Sequence, residues 1–576
     1  MDDEDINRIY ALVSDENASI RFASGEFIYQ HLLSKTSADP ANPDHDAQLR
    51  SLLDFIEEKT QHAELPNYIV DALWGKAPVL RDWSAMTNLL LTDSQKKSLS
   101  ESQQTLLVRV LNCSAKKACG EKIIPKNKAD PDYKDKKEVI QENKTKLSEH
   151  LVKALPEILQ KFKADKEKTA DLVEIPQYFD LGVYSTFRLT AQHKELLKLL
   201  QEIFNKSVDE STFRNVAKTL GYLQQENENA RQTDVAINEL SDKAFAKFRS
   251  ALDNAESEES EEELALTLAL QRLAELTKFL GLAHLDDLFD SVENALRENL
   301  AAHGDECVIR AFDILFYQLA WARSKIDPIS PDVDAIDALV RKRDAVFKLL
   351  EKYLTNKSVS IAEKAYLVAN DMLILFSKNM REAKTSLASL AYSPSVALVT
   401  KIRGFFDDEV TNKQTFRDDE DEMARKEKLI TALAKSIAFN SFHVEHAPAI
   451  LCNFVSHGKF VEEIVKTFLH KIREKYKDNE YRVVLETLKI KYEQVESSIA
   501  EGEAITVPTS PQKKKKAKSK KTDDEEEQDK DKEEEDDLEE DDEDTAVRTP
   551  LRALERLSKR LADTYGLPTQ RHEWLR

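Results

Sequence analysis

The chain has 576 residues, of which 41% are hydrophobic and 33% charged, and carries a formal net charge of −22. That much apolar side chain supports a large core or a long array of small ones, while 11 glycines and 16 prolines are too few for the tight turns of a strand-rich protein. No run approaches the ~18 uninterrupted apolar residues of a membrane span, and the acidic start MDDEDINRIY is unlike a secretory signal. The expectation is a soluble, intracellular, all-α protein with no membrane partner.

Chemistry-bearing motifs are absent. Cys113, Cys119, Cys307 and Cys452 lack the paired short spacings of a zinc site and read as reduced thiols. His443 and His446 share a helix face at i,i+3 without a third ligand at metal spacing, so they read as a satisfied or exposed pair. There is no phosphate-cradling glycine loop, nucleophile elbow or HExxH. No catalytic residue, metal, cofactor or small-molecule substrate is expected.

Apolar residues recur at helical spacing in about fifteen segments. From Lys116 to Lys146 a connector carries Lys116, Lys117, Lys122, Lys126, Lys128, Lys134, Lys136, Lys137 and Lys144 among interspersed acids, which fits a solvated loop or a non-specific contact with phosphates. The stretch LVEIPQYFDLGVYSTFRL, Leu172 to Leu189, is an aromatic and nearly uncharged corner. Pro176 ends the preceding helix, and Tyr178, Phe179, Tyr184 and Phe187 are expected to gather ring surface there. Leu196, Leu197, Leu200, Ile203 and Phe204 then make one apolar stripe. Acidic links follow at Ser257 to Glu263 and, much later, at Asp407 to Asp421, and they read as solvated loops.

Asp332 and Asp334 precede a helix over DALVRKRDAVFKLL, and Ser360 with Glu363 is expected to form a capping box before AEKAYLVANDMLILF. Within that segment Leu367, Asp371, Ile374 and Leu375 fall on one side, and a carboxylate among apolar neighbours must be paired, at a repeat interface or across a groove. Phe460, Val461, Ile464, Val465, Phe468, Leu469 and Ile472 form a second long stripe. So many amphipathic helices with short links, lacking the strict motifs of tetratricopeptide or ankyrin arrays, fit a HEAT-like helical-repeat solenoid over residues 1–500. Residues 505–545 run from KKKKAKSKK into almost pure Asp and Glu and cannot bury enough apolar surface to order themselves. The lysines Lys513, Lys514, Lys515, Lys516, Lys518, Lys520 and Lys521 read as a nuclear localisation signal, with a nucleic-acid tether or a charge counterweight as alternatives. Residues 548–576 regain helical periodicity and are expected to dock on the last repeats. The usual task of such an array is to hold an extended segment of another chain.

Six strings in order carry a family resemblance. LWGKAPVLRDWSAMTNLLL, with Leu73, Trp74, Leu80, Asp82, Trp83, Met86, Thr87 and Leu89 to Leu91, is followed by the PQYFDL corner, LAELTKFL, FYQLAWA, ANDMLILFS and LADTYGL. Together they resemble the central and C-terminal part of the cohesin subunit SA family, the stromalins or STAG proteins. The resemblance implies a non-enzymatic scaffold of sister-chromatid cohesion and chromatin organisation, located in the nucleus on chromosomes. It implies binding to the kleisin subunit, through it to the SMC ring, and to DNA without sequence preference. The position of Asp371 implies a kleisin contact, Lys435 matches a second family position of that kind, and the basic connector at Lys116, Lys117, Lys122, Lys126, Lys128, Lys136 and Lys137 occupies the place of a DNA-facing loop. Family members are roughly twice as long, so regulator docking by their N-terminal half is not carried over. A generic HEAT-repeat nuclear adaptor is the alternative reading.

Overall fold

In the computed structural model residues 2–500 and 550–564 are described, apart from 37–42, 60–63, 93–97, 125–136, 226–227, 255–259, 286, 299, 328, 331, 379–385, 413–418, 455–457 and 476–479. The described residues are helical with no strand, and they fall into two compact units, Met1–Trp321 and Ala322–Arg576.

The first unit opens with α1 (Asp3–Ala11), α2 (Ala18–Ile28), α3 (His45–Lys59), α4 (Leu65–Leu73), α5 (Trp83–Leu91) and α6 (Glu101–Ala118). It continues through α7 (Lys137–Phe162), α8 (Lys166–Glu174), α9 (Gly182–Thr186), α10 (Thr190–Lys206), α11 (Glu210–Leu223), α12 (Ala230–Asn254), α13 (Ser260–Phe279), α14 (Leu288–Glu298) and α15 (Asp305–Lys325). Two layers alternate along the sequence. α2, α4, α6, α8, α11 and α13 pack side by side in one, and α3, α5, α7, α10 and α12 form the other. Each consecutive pair from α3–α4 to α12–α13 therefore contributes one helix to each layer, which is the HEAT-like arrangement. Amphipathicity drives it. Leu196, Leu197, Leu200, Ile203 and Phe204 of α10 are all buried, and a stripe of this kind has no partner until the neighbouring hairpin supplies one.

Local chemistry sets the boundaries. Ser100 and Gln103 make a reciprocal capping box at α6, and Asp165 and Asp209 cap α8 and α11. Asp82 caps α5 by accepting from Ala85 N–H at 3.0 Å and also meets His45 Nδ1 at 2.6 Å, so the Asp-Trp string is a helix start tied to α3. α2 and α4 cross where only glycine fits, because a Cβ on Gly25 would lie 2.5 Å from the Ala72 carbonyl oxygen.

The corner between α8 and α10 packs, though not as a single ring cluster. Phe179 and Tyr184 are buried, Tyr178 is half-buried, and Phe187 stands 47% exposed with Lys153 Nζ 5.5 Å from its ring centre. Tyr184 meets His193 edge-on at 4.9 Å, and the Asp180 carboxylate accepts from Gly182 N–H and Gln141. The rings anchor to different helices: Tyr178 OH donates to Glu174 of α8, Tyr184 meets His193 of α10, and Phe187 lies by Lys153 of α7.

The second unit comprises α16 (Val333–Tyr353), α17 (Val359–Leu375), α18 (Val396–Phe406), α19 (Glu420–Ala438), α20 (Pro448–Leu451), α21 (Gly458–Lys475), α22 (Glu480–Ala500) and α23 (Pro550–Thr564). α17, α19 and α21 are successive neighbours in one layer, α16 packs on α17, and α23 packs on α22, with Arg560 of α23 paired to Glu462 of α21. Asp332 caps α16 as its position implies. At α17 the cap is Ser358, not Ser360; the helix begins two residues earlier than the expected box, and Glu363 turns instead to Arg425. The His443 side chain accepts from Glu445 N–H ahead of a 3₁₀ turn. Among the described residues no group of His, Cys, Asp or Glu is placed to hold a metal and no helix is long and apolar enough to cross a membrane.

The four thiols are free. Burial pushes Cys113 up to about 12 and Cys119 and Cys452 to about 11. His193, 1% exposed, bonds Thr233 Oγ1 through Nε2 at 3.1 Å, and burial lowers it to about 4 from an ordinary 6.5. The folded chain thus binds this proton less readily than the unfolded chain. Its contribution to stability is complete above pH 6.5 and falls as the pH drops towards 4, by about 3 kcal/mol in all. Urea midpoints of the first unit's transition, measured in the full chain, should decline over that window, and His193→Gln should flatten the decline.

Candidate functional site

Two regions carry the residues singled out from the sequence. In the first unit, Lys116 and Lys117 are not in a loop: they form the last turn of α6, and the connector proper begins only after Ala118. Their charges are spent inside the fold. Lys117 pairs with Asp71 of α4, which also holds Arg21 of α2 at 3.1 Å, and Lys116 pairs with Glu174 of α8 at 2.9 Å. Asn112 completes the set by donating one amide to both Asp171 and Glu174, each at 2.9 Å. Burial works to raise both carboxyls. At Asp171 it prevails, whereas at Glu174 the hydrogen bonds from Asn112 and Lys116 outweigh it and hold the carboxyl below its usual range.

Lys122 and Lys137, at the two ends of the connector, are exposed. Lys126, Lys128, Lys134 and Lys136 lie outside the described residues, as do Lys513 to Lys521 and the whole of 505–545.

In the second unit the geometry is more specific. Tyr366 OH donates to the Leu429 carbonyl at 3.0 Å, Ser436 Oγ donates to Asn370 Oδ1 at 2.7 Å, and Glu363 meets Arg425. Contacts that climb α17 and α19 in the same order, 363 to 425, 366 to 429 and 370 to 436, mean that the two helices run parallel. One residue forward from Asn370 and one back from Ser436 turn side chains by ~100° in opposite senses. Asp371 and Lys435 therefore emerge on the same side of the pair, and both are exposed.

This corrects the expectation of a buried carboxylate. The buried polar residue is Asn370, 0% exposed, whose amide N–H donates to the Tyr366 carbonyl at 2.9 Å. The sequence pattern misled because Leu367, Ile374 and Leu375 are only half-buried, so the apolar face that Asp371 shares is itself a surface. On α19 the exposed residues between 424 and 439 are Ala424, Lys428, Lys435 and Phe439, one face of a helix at i, i+4, i+11 and i+15. Lys428 and Phe439 were overlooked in the sequence. The signal that finds them is the opposite face, where Leu429, Ile430, Leu433, Ala434 and Ile437 are buried. The result is an exposed strip along two parallel helices, with Asp371 and half-buried Leu367, Ile374 and Leu375 on α17 and Lys428, Lys435 and Phe439 on α19.

Paired helices alternating between two layers in the first unit define a helical-repeat architecture. Residues 68–321, from within α4 to the end of the first unit, match the sequence profile of the cohesin subunit SCC3/SA HEAT-repeats domain. Similar proteins include cohesin subunit SA-1 of Xenopus laevis, 26% identical over 524 residues that cover 82% of this chain and 40% of the relative. Cohesin subunit scc-3 of Caenorhabditis elegans is 27% identical over 86% of this chain and 46% of its own length, and sister-chromatid cohesion protein 3 of Arabidopsis thaliana is 26% identical over 87% and 47%. Among solved structures an engineered protein overlays with a TM-score of 0.27 at 14% identity, covering 82% of this chain and 99% of that chain, a likeness too low to carry an argument. Over residues 68–321 the chain is similar to the cohesin subunit SCC3/SA HEAT-repeats domain. It spans less than half the length of these relatives.

The Asn370–Ser436 bond sets the register of α17 against α19. Asn370→Leu should lower stability by about 1–3 kcal/mol, the penalty for losing a buried hydrogen bond, read as a lower urea midpoint of the second unit's transition.

Proposed function

We propose that this chain is a cohesin subunit that acts without catalysis, holding the kleisin subunit along its helical-repeat body and, through it, the SMC ring. The observation that carries this is the placement of Asp371 and Lys435 on the same exposed side of two parallel helices whose register is fixed by Asn370 and Ser436. Opposite charges on facing walls select the register of a bound segment and repel one with the wrong order of charges. The apolar rims of Leu367, Ile374 and Leu375 supply area to bury. The family's membership in cohesin, printed in the relatives' names, supports this partner, and the place of such a protein is the nucleus, on chromosomes. The lysine run Lys513 to Lys521 is proposed as the import signal.

DNA contact is the second part of the reading. Lys116 and Lys117 face carboxylates within the fold, so the phosphate contacts pass to Lys122 and Lys137, with Lys126, Lys128 and Lys136 between them in the sequence. Such a contact reads charge and not bases.

Two outcomes test this. Calorimetric titration of the full chain with the central segment of the same organism's kleisin should give submicromolar binding, weakened roughly ten-fold or more, about 1.4 kcal/mol, by Asp371→Lys or Lys435→Glu. Absence of binding by the folded wild type would overturn the reading. DNA affinity should fall steeply with salt, and replacing Lys122 and Lys137 together by glutamine should reduce the log–log slope by about 1.8 if each meets one phosphate; sharply sequence-specific or salt-insensitive binding would refute it.

A further inference from the structure

α22 is apolar on two faces. Val483, Thr487 and Val495 are buried, and the helix packs on α20, where Cys452 Sγ donates to the Thr487 carbonyl at 3.8 Å. A second set, Tyr481, Leu485, Leu488 and Tyr492, recurs at i, i+4, i+7 and i+11 and so makes one stripe along the helix. This stripe is not closed over. Leu485 and Tyr492 are 54% and 53% exposed, and together with Leu488 of α22 and Leu554 and Ser558 of α23 they line an open cleft of about 650 Å³. Glu493 of α22 and Glu555 of α23, on opposite walls, are exposed and make no ion pair or side-chain hydrogen bond among the described residues, whereas Lys489 beside them is paired to Glu486. The cleft is therefore apolar within and acidic at its rim.

We propose that the occupant of this cleft is residues 565–576 of the same chain, YGLPTQRHEWLR, which lie outside the described residues. Trp574 and Leu575 stand between Arg571 and Arg576, an apolar pair flanked by cations, and that is the complement of an apolar cleft flanked by Glu493 and Glu555. The reach is sufficient. From Thr564, where α23 ends, back to the level of Ser558 and Leu554 is ~9–15 Å along the helix, and six residues from Pro568 to Trp574 span up to ~20 Å. Gly566 and Pro568 are the residue types that stop a helix and turn the chain just past its end. The other segment adjoining α23, residues 505–545, has no aromatic side chain and runs into Asp and Glu that the two glutamates repel. Tethering favours the chain's own segment over an outside partner, since a link this short gives a roughly millimolar effective concentration and a contact of modest strength then keeps the cleft filled. The indole supplies the buried area, and the arginines set its register. This docking is independent of the kleisin reading.

Fluorine NMR of the full chain labelled with fluorotryptophan tests this, because Trp74, Trp83, Trp321 and Trp574 are its only tryptophans and Trp574→Phe identifies the fourth resonance. In wild type that resonance should be displaced from its position in the free 565–576 peptide and should not move on dilution. Leu485→Asp, at an exposed site, should return it to the free position while leaving the other three resonances and the helical circular dichroism spectrum unchanged, and should speed tryptic cleavage after Arg571 about ten-fold or more as the docked state opens. Glu493→Lys combined with Glu555→Lys should release Trp574 as well, and adding Arg571→Glu with Arg576→Glu should bring it back. A Trp574 resonance at the free position in wild type, or one that Leu485→Asp leaves in place, would overturn the proposal. A displacement that disappears on dilution would also overturn it, by assigning the cleft to a second copy of the chain.

Discussion

Polar ties between helices of the same layer are the constraint on which this molecule depends. Apolar stripes drive α2, α4, α6 and α8 together, but a stripe of leucines tolerates sliding by a turn. Arg21, Asp71 and Lys117 do not, and neither do Lys116, Asn112 and Glu174: each set links residues from successive helices at hydrogen-bond distance. Further along, Arg214 reaches from α11 to Glu275 of α13, and Glu210 of α11 to Arg310 of α15. Buried ion pairs contribute little net stability, since desolvation offsets much of their attraction, but breaking one is expensive. They therefore penalise misregistered stacking more than they favour folding, which is what a repeat array with interchangeable hairpins needs.

The second unit uses a neutral version of the same device. Asn370 and Ser436 share a hydrogen bond where α17 and α19 touch, and the ladder from Glu363–Arg425 to Tyr366–Leu429 keeps the helices parallel and in step. Because register is fixed from inside, the outer positions one residue away are fixed too. Asp371 and Lys435 are thereby held on one exposed side of the pair, and the surface proposed for the partner is preorganised by the buried Asn370–Ser436 contact.

The helical class was legible because glycine and proline are scarce and apolar spacing is regular, and the stripe on α10 is buried residue for residue. Helix starts were legible where an Asp precedes the apolar run, as at Asp332, and not where two serines compete: Ser360 has Glu363 in the capping-box position, yet Ser358 is the cap and Ile361 and Ala362 are buried in the first turns that follow. Lys116 and Lys117 looked like part of a basic loop since their carboxylate partners, Glu174 and Asp71, are 58 and 46 residues away in sequence. Asp371 was placed on the correct helix, but its burial depended on whether the neighbouring leucines faced a repeat or the solvent, and periodicity is blind to that difference.

The thiols have a practical chemical corollary. A group that ionises at about 11, as Cys119 and Cys452 do, offers roughly one thiolate in ten thousand at neutral pH, and only the thiolate attacks maleimides or oxidants at a useful rate. An engineered cysteine on the open face of α19 would ionise near its free value and outcompete all four native ones. The native chain is in effect already a cysteine-light background for attaching a spectroscopic reporter.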